Sequence, residues 1–380
     1  MQVVRLWPLR PTTTITTTTE SRVSGGAAQT EQAVVAVDAN GADLGPSEVI
    51  AGVRAAAAQG ARILLFGPAG QIENLGPLGP RVELVDAPVS IAKSPDPAKA
   101  VRAAPEASIV QAAKAVGEGR AQALVCAGGT GAALAAGLFN IKRARGIHRP
   151  ALALPIPVPK QHHPVTLLDV GASVQARPEH LVQFAFMGAA FARAVLGVEN
   201  PRVALLSNGE EAERGSETVV RAGTELASLA RDGRVAWVGN IEGNDLVGGR
   251  ADVIVCDGFT GNIALKLMEG VSQTVLAAVR DAALSSWRGK LGGMLLRPSL
   301  LAFREQIDPE AQGGAYLLGL RRLAVVAHGR FGARGFAQAI MRAQRGVHED
   351  VVGATHAALS DAGALRSAPM SADPASLTGE

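Results

Sequence analysis

Short runs of β-branched and other apolar residues alternate with alanine-rich stretches of helical length along most of this 380-residue chain. Apolar runs that are continuous, without alternating polar residues, are typical of strands buried on both faces of a sheet. Strands separated by helices predict an α/β fold with a mainly parallel sheet. In chain order the runs are VVAVD (34–38), RILLFG, VELVD, ALVCAG, ALALP, VTLLDVG, RVALLSNG, VAWVGN, DVIVCDG and LAVVAHG.

The two ends of the chain lack this pattern. Residues 1–32 contain the threonine-rich segment PTTTITTTTE, and residues 366–380 are rich in serine, proline and alanine. Polar low-complexity segments bury too little apolar surface to offset the entropy lost on ordering. We therefore expect both ends to be disordered and the folded domain to span residues 33–365.

Composition excludes several classes of protein. Apolar residues make up 47% of the chain, which rules out a disordered protein. The net charge of +3 and an aromatic content of 3% argue against a nucleic-acid partner, which needs basic patches and stacking platforms. No apolar run is long enough to span a membrane, and the N-terminus lacks the apolar core of a secretion signal. These features predict a cytoplasmic protein.

We expect neither a metal nor a cofactor. Cys126 and Cys256 stand outside any spacing typical of metal ligands or of a disulfide framework, and we expect both to be small core residues. The chain also lacks a dinucleotide-binding fingerprint, a phosphate-binding P-loop and the serine nucleophile elbow of hydrolases.

Most of the predicted strands end in a glycine-bearing turn, and two of these turns are alike. ALVCAGGTGAAL and VIVCDGFTGNIAL both read Cys-x-Gly-x-Thr-Gly before a helix. Backbone N–H groups and a hydroxyl at a helix N-terminus can bind an anion, so two such turns facing one crevice predict an anion site. The alternative is that small residues only let strand and helix pack closely. The first turn contains Gly128, Gly129, Thr130 and Gly131, and the second contains Gly258, Thr260 and Gly261.

The chain contains an ordered series of distinctive motifs. They are DANGAD (38–43), CAGGTGA (126–132), GIHRPALA (146–153), LLDVGAS (167–173), QFAFMG, GNIEGNDL, CDGFTGNIALKLMEG (256–270), GGAYLLGL and HG before FAQAI. In this order, from residue 33 to residue 346, the series resembles the PlsX family, the phosphate acyltransferases of bacterial phospholipid synthesis. The resemblance implies a three-layer α/β/α sandwich with a mainly parallel sheet, related to isocitrate and isopropylmalate dehydrogenases and to phosphotransacetylases, usually as a homodimer.

The resemblance also implies an activity. Family members convert acyl-[acyl carrier protein] and inorganic phosphate to acyl phosphate and free carrier protein, and a membrane glycerol-3-phosphate acyltransferase then uses the acyl phosphate. Because phosphate is the nucleophile, such an enzyme needs positioned donors for the phosphate and for the developing oxyanion, and no serine or cysteine nucleophile. Our candidate catalytic residues are Lys266, Asn262, His328 and Asn240, and Arg102 and Arg214 are candidate phosphate-binding cations.

Several of these candidates have simpler interpretations. Lys266 can lie on a solvated helix face, and His328 either protonates the departing thiolate or only caps the end of a strand. Four aspartates lie in or beside turns, and we expect them to orient loops by accepting backbone N–H groups. These are Asp38, Asp43, Asp169 and Asp257.

This chain departs from the family at several polar positions. Gly129 and Ser173 stand where the family has asparagine, and Ala103-Ala104 replaces a basic pair. Losing a charged or amide partner at an anion site costs about 1.5–3 kcal/mol per hydrogen bond. Two alternatives therefore stay open: a divergent paralogue with weak or no activity that acts as a partner or regulator, and an enzyme that transfers acyl groups between coenzyme A and phosphate.

Two surface segments indicate partners. A helical hairpin is expected at about residues 266–304, where the resemblance implies dimerisation and peripheral membrane contact. Its Leu291, Met294, Leu295 and Leu296 are bracketed by basic residues, as in interfacial membrane contacts; packing in the dimer or core is the alternative. The basic cluster KRARGIHR (142–149) attracts acidic proteins, which favours docking of acyl carrier protein there or at the hairpin. A merely solvated face is the alternative for this cluster.

Overall fold

The computed structural model describes residues 33–159, 161–306 and 308–366. The predicted disordered segments, 1–32 and all of 366–380 except Arg366, lie outside the described residues. The strands are β1 (Val34–Asp38), β2 (Arg62–Gly67), β3 (Val82–Asp86), β4 (Ala123–Ala127), β5 (Ala151–Ile156), β6 (Val165–Leu168), β7 (Arg202–Leu206), β8 (Ala236–Ile241), β9 (Val253–Val255), β10 (Ala315–Leu318) and β11 (Leu323–Ala327).

Helices follow most of the strands. They are α1 (Pro46–Ala58), α2 (Ala69–Glu73), α3 (Pro97–Ala103), α4 (Ser108–Gly117), α5 (Thr130–Ala136), α6 (Pro178–Leu196), α7 (Glu217–Arg231), α8 (Gly258–Leu284), α9 (Trp287–Gln306), α10 (Ala333–His348) and α11 (Val351–Asp361). Helix α5 continues into a π-helical turn at Gly137–Ile141. Among the described residues, no helix is long and apolar enough to cross a membrane.

All the strands pair in one sheet, in the order β3-β2-β1-β4-β11-β10-β5-β6-β9-β7-β8. Helices cover both faces of the sheet, and the side chains of successive strand residues point to opposite faces. In β1, for example, Val35 and Val37 join the core beneath α1, α6 and α10, whereas Ala36 joins the core beneath α4 and α5. The predicted α/β class with a mainly parallel sheet is confirmed.

The sheet consists of two parallel blocks that run in opposite directions. Strand β10 pairs antiparallel with both β11 and β5, and β5 pairs antiparallel with β6. Strands β6, β9, β7 and β8 therefore run opposite to β3, β2, β1, β4 and β11. We call the edge at which β1, β4 and β11 end the upper edge, and the edge at which β6, β9 and β7 end the lower edge.

Strand β10 was absent from the predicted strands. Its sequence AYLL is a run of only four residues between glycines, and all four are buried. Such a short apolar run cannot be assigned to a strand by periodicity. The omission matters, because β10 is one of the strands through which the sheet reverses direction.

Helices α8 and α9 form a hairpin over residues 258–306, and the described residues of its outer part are mostly exposed. Only the first third of α8 packs on the body, where Ala264, Leu265 and Met268 contact the core. At the other end of the hairpin, Glu305 of α9 forms an ion pair with Arg334 at the start of α10.

Candidate active site

Three loops meet at the upper edge, where β1, β4 and β11 end side by side. The Gly128 N–H donates to Ala327 O at 2.9 Å, and the Asp43 N–H donates to Gly329 O at 2.7 Å. A Cβ on Gly41 would lie 1.7 Å from the Ala127 carbonyl oxygen, so only glycine allows this approach. The loops after the three strands therefore form one closely packed surface.

The first turn leaves several donors free at this surface. Gly128 and Gly129 have φ of 60° and 52°, a left-handed conformation that turns the chain sharply into α5. The helix has no side-chain cap. In the described part of the chain, nothing accepts the N–H groups of Gly129, Thr130 and Gly131, and the Thr130 hydroxyl is also without a partner. These groups can bind an anion.

The surroundings of Gly129 bear on one departure of this chain from the family pattern, which has asparagine at this position. A Cβ at this position would lie 3.1 Å from the Ala92 carbonyl oxygen, which is a tight contact. An asparagine there requires the Ala92 segment to move back by a few tenths of an ångström. The loop that carries Ala92 therefore lies closer to the turn than an asparagine allows.

Charged side chains from α8 face the same surface. Lys266 Nζ lies 3.4 Å from Glu269 Oε2, and both groups are close enough to His328 to shift its pKa. Partial burial lowers the pKa of His328, and the Lys266 and Arg330 charges lower it further, whereas Glu269 and Asp43 raise it. The upper edge thus combines free amide donors, a lysine, a histidine and two carboxylates.

The second turn has a different role from the one predicted for it. The Gly258 N–H donates to Ser173 Oγ at 3.3 Å, and both the N–H and the hydroxyl of Thr260 donate to the Asp257 carboxylate, at 2.9 and 2.7 Å. The Gly261 N–H donates to Asp257 O, and a Cβ on Gly261 would lie 1.9 Å from Asp169 O. The donors expected to bind an anion are used within the protein, which corresponds to the close-packing alternative.

The prediction that both turns face one crevice is wrong. The first turn follows β4 at the upper edge, whereas the second follows β9, which runs in the opposite direction and ends at the lower edge. Five strand spacings separate β4 from β9, about 24 Å at 4.7–4.9 Å per spacing. One phosphate cannot contact both turns.

Two further candidates lie away from the upper edge. Asn240 is buried at the end of β8, and its amide donates to the main-chain oxygens of Glu211 and Arg214, at 2.8 and 3.3 Å, so it holds that loop. The Arg214 guanidinium pairs with Glu211 in the same exposed loop. Both residues lie beside β7 and β8, at the end of the sheet remote from β4.

Arg102 and Asn262 also differ from expectation. The start of α3 contacts the first turn, but Arg102 lies about 7.5 Å further along the helix, and its guanidinium stacks on Phe139 at 4.6 Å. Asn262 is exposed beside Gly171 near the lower edge. It precedes Lys266 by one helical turn on the same face of α8. Of the predicted catalytic residues, Lys266 and His328 are the two that interact electrostatically at the upper edge, and Asn262 lies about 6 Å before Lys266 along the helix.

The aspartates mostly orient loops, as predicted. Asp169 is buried and accepts the N–H groups of Leu152, Gly171, Ala172 and Ser173 as well as the Ser173 hydroxyl. Asp38 accepts the Asn40 N–H, and Asp257 caps α8. Asp43 differs, because its exposed carboxylate lies against Gly329 and accepts no hydrogen bond from the described residues.

Both cysteines are buried and unpaired, which confirms that they are core residues. Burial raises the pKa of each thiol, and nearby aspartates raise it further, Asp38 for Cys126 and Asp169 for Cys256. A buried thiol that stays protonated is a poor nucleophile.

Two residues of the upper edge were absent from the sequence-based candidates. Asn40 donates to Ala87 O at 2.9 Å and to Ser108 Oγ at 3.0 Å, which ties the loop after β1 to neighbouring loops. Glu269 pairs with Lys266. Its position three residues after Lys266 could have identified it as a partner of that lysine, since residues i and i+3 share a helix face.

Comparisons with known proteins are consistent across sequence and structure. Residues 33–353 match the family model described as "Fatty acid synthesis protein". The phosphate acyltransferase of Latilactobacillus sakei is 45% identical over 303 residues, covering 79% of this chain and 89% of the relative. That of Desulforudis audaxviator is 41% identical over 328 residues, covering 86% of this chain and 96% of the relative.

Solved structures share the fold at low identity. The EutD phosphotransacetylase from Staphylococcus aureus aligns with a TM-score of 0.54 and 16% identity, over 82% of this chain and 94% of that one. A phosphotransacetylase from Streptococcus pyogenes aligns with a TM-score of 0.56 and 15% identity, over 84% and 95% of the two chains. These likenesses confirm the α/β architecture, which this chain shares with the two phosphotransacetylases.

Proposed function

This chain belongs to the fatty acid synthesis protein family, to which the PlsX phosphate acyltransferases belong, and from that premise we propose that it makes acyl phosphate at the upper edge of its sheet. It is an acyltransferase whose substrates are inorganic phosphate and an acyl group carried on acyl carrier protein. One observation supports this location: the unpartnered donors of the first turn lie at the same edge as His328 and Lys266.

Inorganic phosphate binds at the first turn in this proposal. The N–H groups of Gly129, Thr130 and Gly131 and the Thr130 hydroxyl supply neutral donors, and the Lys266 ammonium supplies the positive charge that a dianion requires. His328 lies beside the turn, since it follows Ala327, whose carbonyl accepts the Gly128 N–H. A thioester carbonyl placed against His328 is then within reach of the phosphate.

The activity is tested by measuring thiol release from an acyl carrier protein thioester with and without phosphate. We expect release only when phosphate is present, together with formation of acyl phosphate. Absence of release under all phosphate concentrations would favour the inactive paralogue, and a preference for acyl-coenzyme A would favour the coenzyme-dependent alternative. Family membership favours the carrier-protein reaction.

Acyl carrier protein docks at the basic cluster 142–149 in this proposal. The cluster lies at the lower edge, because the Ala144 N–H donates to Gly319 O and the Arg321 N–H donates to Lys142 O, in the loop that precedes β11. The five residues of β11 separate it from His328 by about 16 Å, so the carrier must deliver its thioester on an extended arm. Arg145 is exposed and serves as the test position. Arg145→Glu should weaken the affinity for acyl carrier protein, and unchanged affinity would exclude this face as the docking site.

We also propose a homodimer formed through α8. Every fourth residue of the helix is apolar and at least 43% exposed, namely Phe259, Ile263, Leu267, Val271, Val275 and Val279. Such a ridge is well suited to pack against an identical helix. Val271→Asp together with Val275→Asp should give a monomer in analytical ultracentrifugation, while an unchanged sedimentation coefficient would reject this interface.

The start of α9 is the proposed site of peripheral membrane contact. Leu291, Met294, Leu295 and Leu296 are all more than half exposed, and Arg288, Lys290 and Arg297 surround them. Contact with the membrane would bring the acyl phosphate close to a membrane glycerol-3-phosphate acyltransferase. We expect flotation with anionic liposomes to be lost in the Leu295→Asp, Leu296→Asp variant; retained flotation would contradict the proposal.

A further inference from the structure

The imidazole of His328 is fixed by its own turn. Its Nδ1 accepts the Arg330 N–H at 3.1 Å, and its main-chain oxygen accepts the Phe331 N–H at 3.0 Å. The ring also packs against buried Phe331, with the ring centroids 5.9 Å apart. The other ring nitrogen, Nε2, has no hydrogen-bond partner within the described ranges and is therefore available to a substrate.

This arrangement decides which nitrogen carries the proton. A ring nitrogen that accepts a hydrogen bond cannot carry a proton at the same time, so the neutral imidazole is the Nε2–H form. An imidazolium would place a second proton on Nδ1, facing the Arg330 N–H, and the hydrogen bond would be lost. The charged groups that face the ring are Lys266 and Glu269 from α8, Asp43 from the loop after β1, and Arg330.

We propose that His328 acts as a neutral donor, whose Nε2–H binds the thioester carbonyl oxygen, and that the attacking hydrogen phosphate itself supplies the proton that the leaving thiolate needs. This inference rests on the proposed function, since it assigns roles within that reaction. It replaces the expectation that His328 protonates the thiolate.

The reaction balances without any acid from the protein. An oxygen of HPO₄²⁻ attacks the carbonyl carbon, the oxygen–carbon bond forms, and the carbon–sulfur bond breaks. The products are the acyl phosphate dianion and the thiol, so the single proton of hydrogen phosphate passes from oxygen to sulfur. The charge is −2 before and after, and His328 donates a hydrogen bond to the developing oxyanion throughout.

The geometry places the two partners together. A Cβ on Gly128 would lie 3.4 Å from Gly329 Cα, so the first turn directly touches the residue that follows His328. Phosphate held by the first turn and a carbonyl held by Nε2 are therefore neighbours. A neutral donor also avoids a second positive charge beside Lys266, where it would oppose that lysine.

Two substitutions separate hydrogen-bond donation from proton transfer. In His328→Gln the amide NH₂ can occupy the position of Nε2 and donate, but it cannot titrate, whereas His328→Ala removes the donor. We expect His328→Ala to lower kcat by about 10²–10³-fold, as for loss of one oxyanion donor. His328→Gln should retain kcat within about tenfold and keep the pH profile of kcat unchanged between pH 5.5 and 8.

A second measurement does not depend on activity. Imidazole ¹⁵N shifts of the full chain, assigned by the signal missing in His328→Gln, should report the neutral Nε2–H form at pH 7 and above. An Nδ1–H form, titration of this ring near neutrality, or a Gln variant as inactive as the Ala variant would overturn the inference. Absence of phosphate-dependent thiol release in the unmodified protein would instead overturn the proposed function. The ¹⁵N shifts would still report the protonation of His328, because they do not depend on activity.

Discussion

Replacing Lys266 with methionine tests whether the upper edge binds phosphate. The Lys266 side chain is 59% exposed, and its ion pair with Glu269 joins residues three apart on one helix. Exposed pairs of this kind contribute about 0–1 kcal/mol to folding, so Lys266→Met should leave the free energy of unfolding nearly unchanged. A charged hydrogen bond to a phosphate dianion contributes about 1.5–3 kcal/mol, which corresponds to roughly 10–150-fold in kcat/KM for phosphate.

The chain offers a matched control for this substitution. Lys114 on α4 is 64% exposed and pairs with Glu118 at 3.8 Å, so Lys114→Met removes a similar surface charge away from the upper edge. Initial rates of thiol release at increasing phosphate concentration give kcat/KM, and urea titration gives the free energy of unfolding. Equal kcat/KM values for the two variants would refute the reasoning, as would a large loss of stability confined to Lys266→Met.

Other predictions follow from the same contacts. Thr130→Ala should raise the KM for phosphate several-fold without loss of stability. Thr260→Ala should cost about 1 kcal/mol in urea unfolding, because the hydroxyl hydrogen bond to Asp257 is lost, and should leave that KM unchanged; the reverse pattern would restore the second turn as the phosphate site. Gly41→Ala should cost about 1–3 kcal/mol in urea unfolding and about 10² in kcat/KM, because its Cβ would meet a carbonyl oxygen at 1.7 Å; full activity would exclude this loop from the site. Burial lowers the pKa of both His148 and His180 from 6.5, so the unfolded chain binds protons more readily, and the free energy of unfolding should fall as pH drops below about 6.5. Urea midpoints between pH 7.5 and 5.5 measure this loss, and it should be smaller in the His148→Gln, His180→Gln variant; a slope equal to that of the unmodified chain would contradict the assignment.

Most of the strands that the sequence predicted correctly are buried on both faces, and the edge strands β3 and β8 are the exceptions. Runs such as VVAVD and ALVCA are apolar throughout because helices cover each side of the sheet. Because every residue of such a strand is apolar, the sequence of the strand alone predicts that it is buried. The glycine turns that end these strands are local features as well.

The direction of each strand is not a local feature. The two Cys-x-Gly-x-Thr-Gly turns carry almost the same residues, yet one faces the upper edge and the other the lower edge. The difference comes from β10 and β5, whose antiparallel pairing reverses the sheet between the two turns. Pairing between residues some 160 positions apart cannot be inferred from either turn alone.

The two arginines expected to bind phosphate also show that local sequence is not enough to place a side chain. Arg102 and Arg214 stand beside motifs of the family pattern, and the sequence contains no sign that each has another partner. The structure provides one for each side chain: the Phe139 ring for Arg102 and the Glu211 carboxylate for Arg214. Lys266 and His328 belong to strand-and-turn motifs that the sequence marks clearly, and their roles in the reaction stay predictions.

Helix α8 connects the exposed hairpin to the candidate active site. The helix is about 40 Å long, and only its first part packs on the body, with Lys266 between the core-contacting residues Leu265 and Met268. A force on the exposed outer hairpin is therefore transmitted to the packed turn that carries Lys266, and a misplacement of about 1 Å there can cost about 10² in rate.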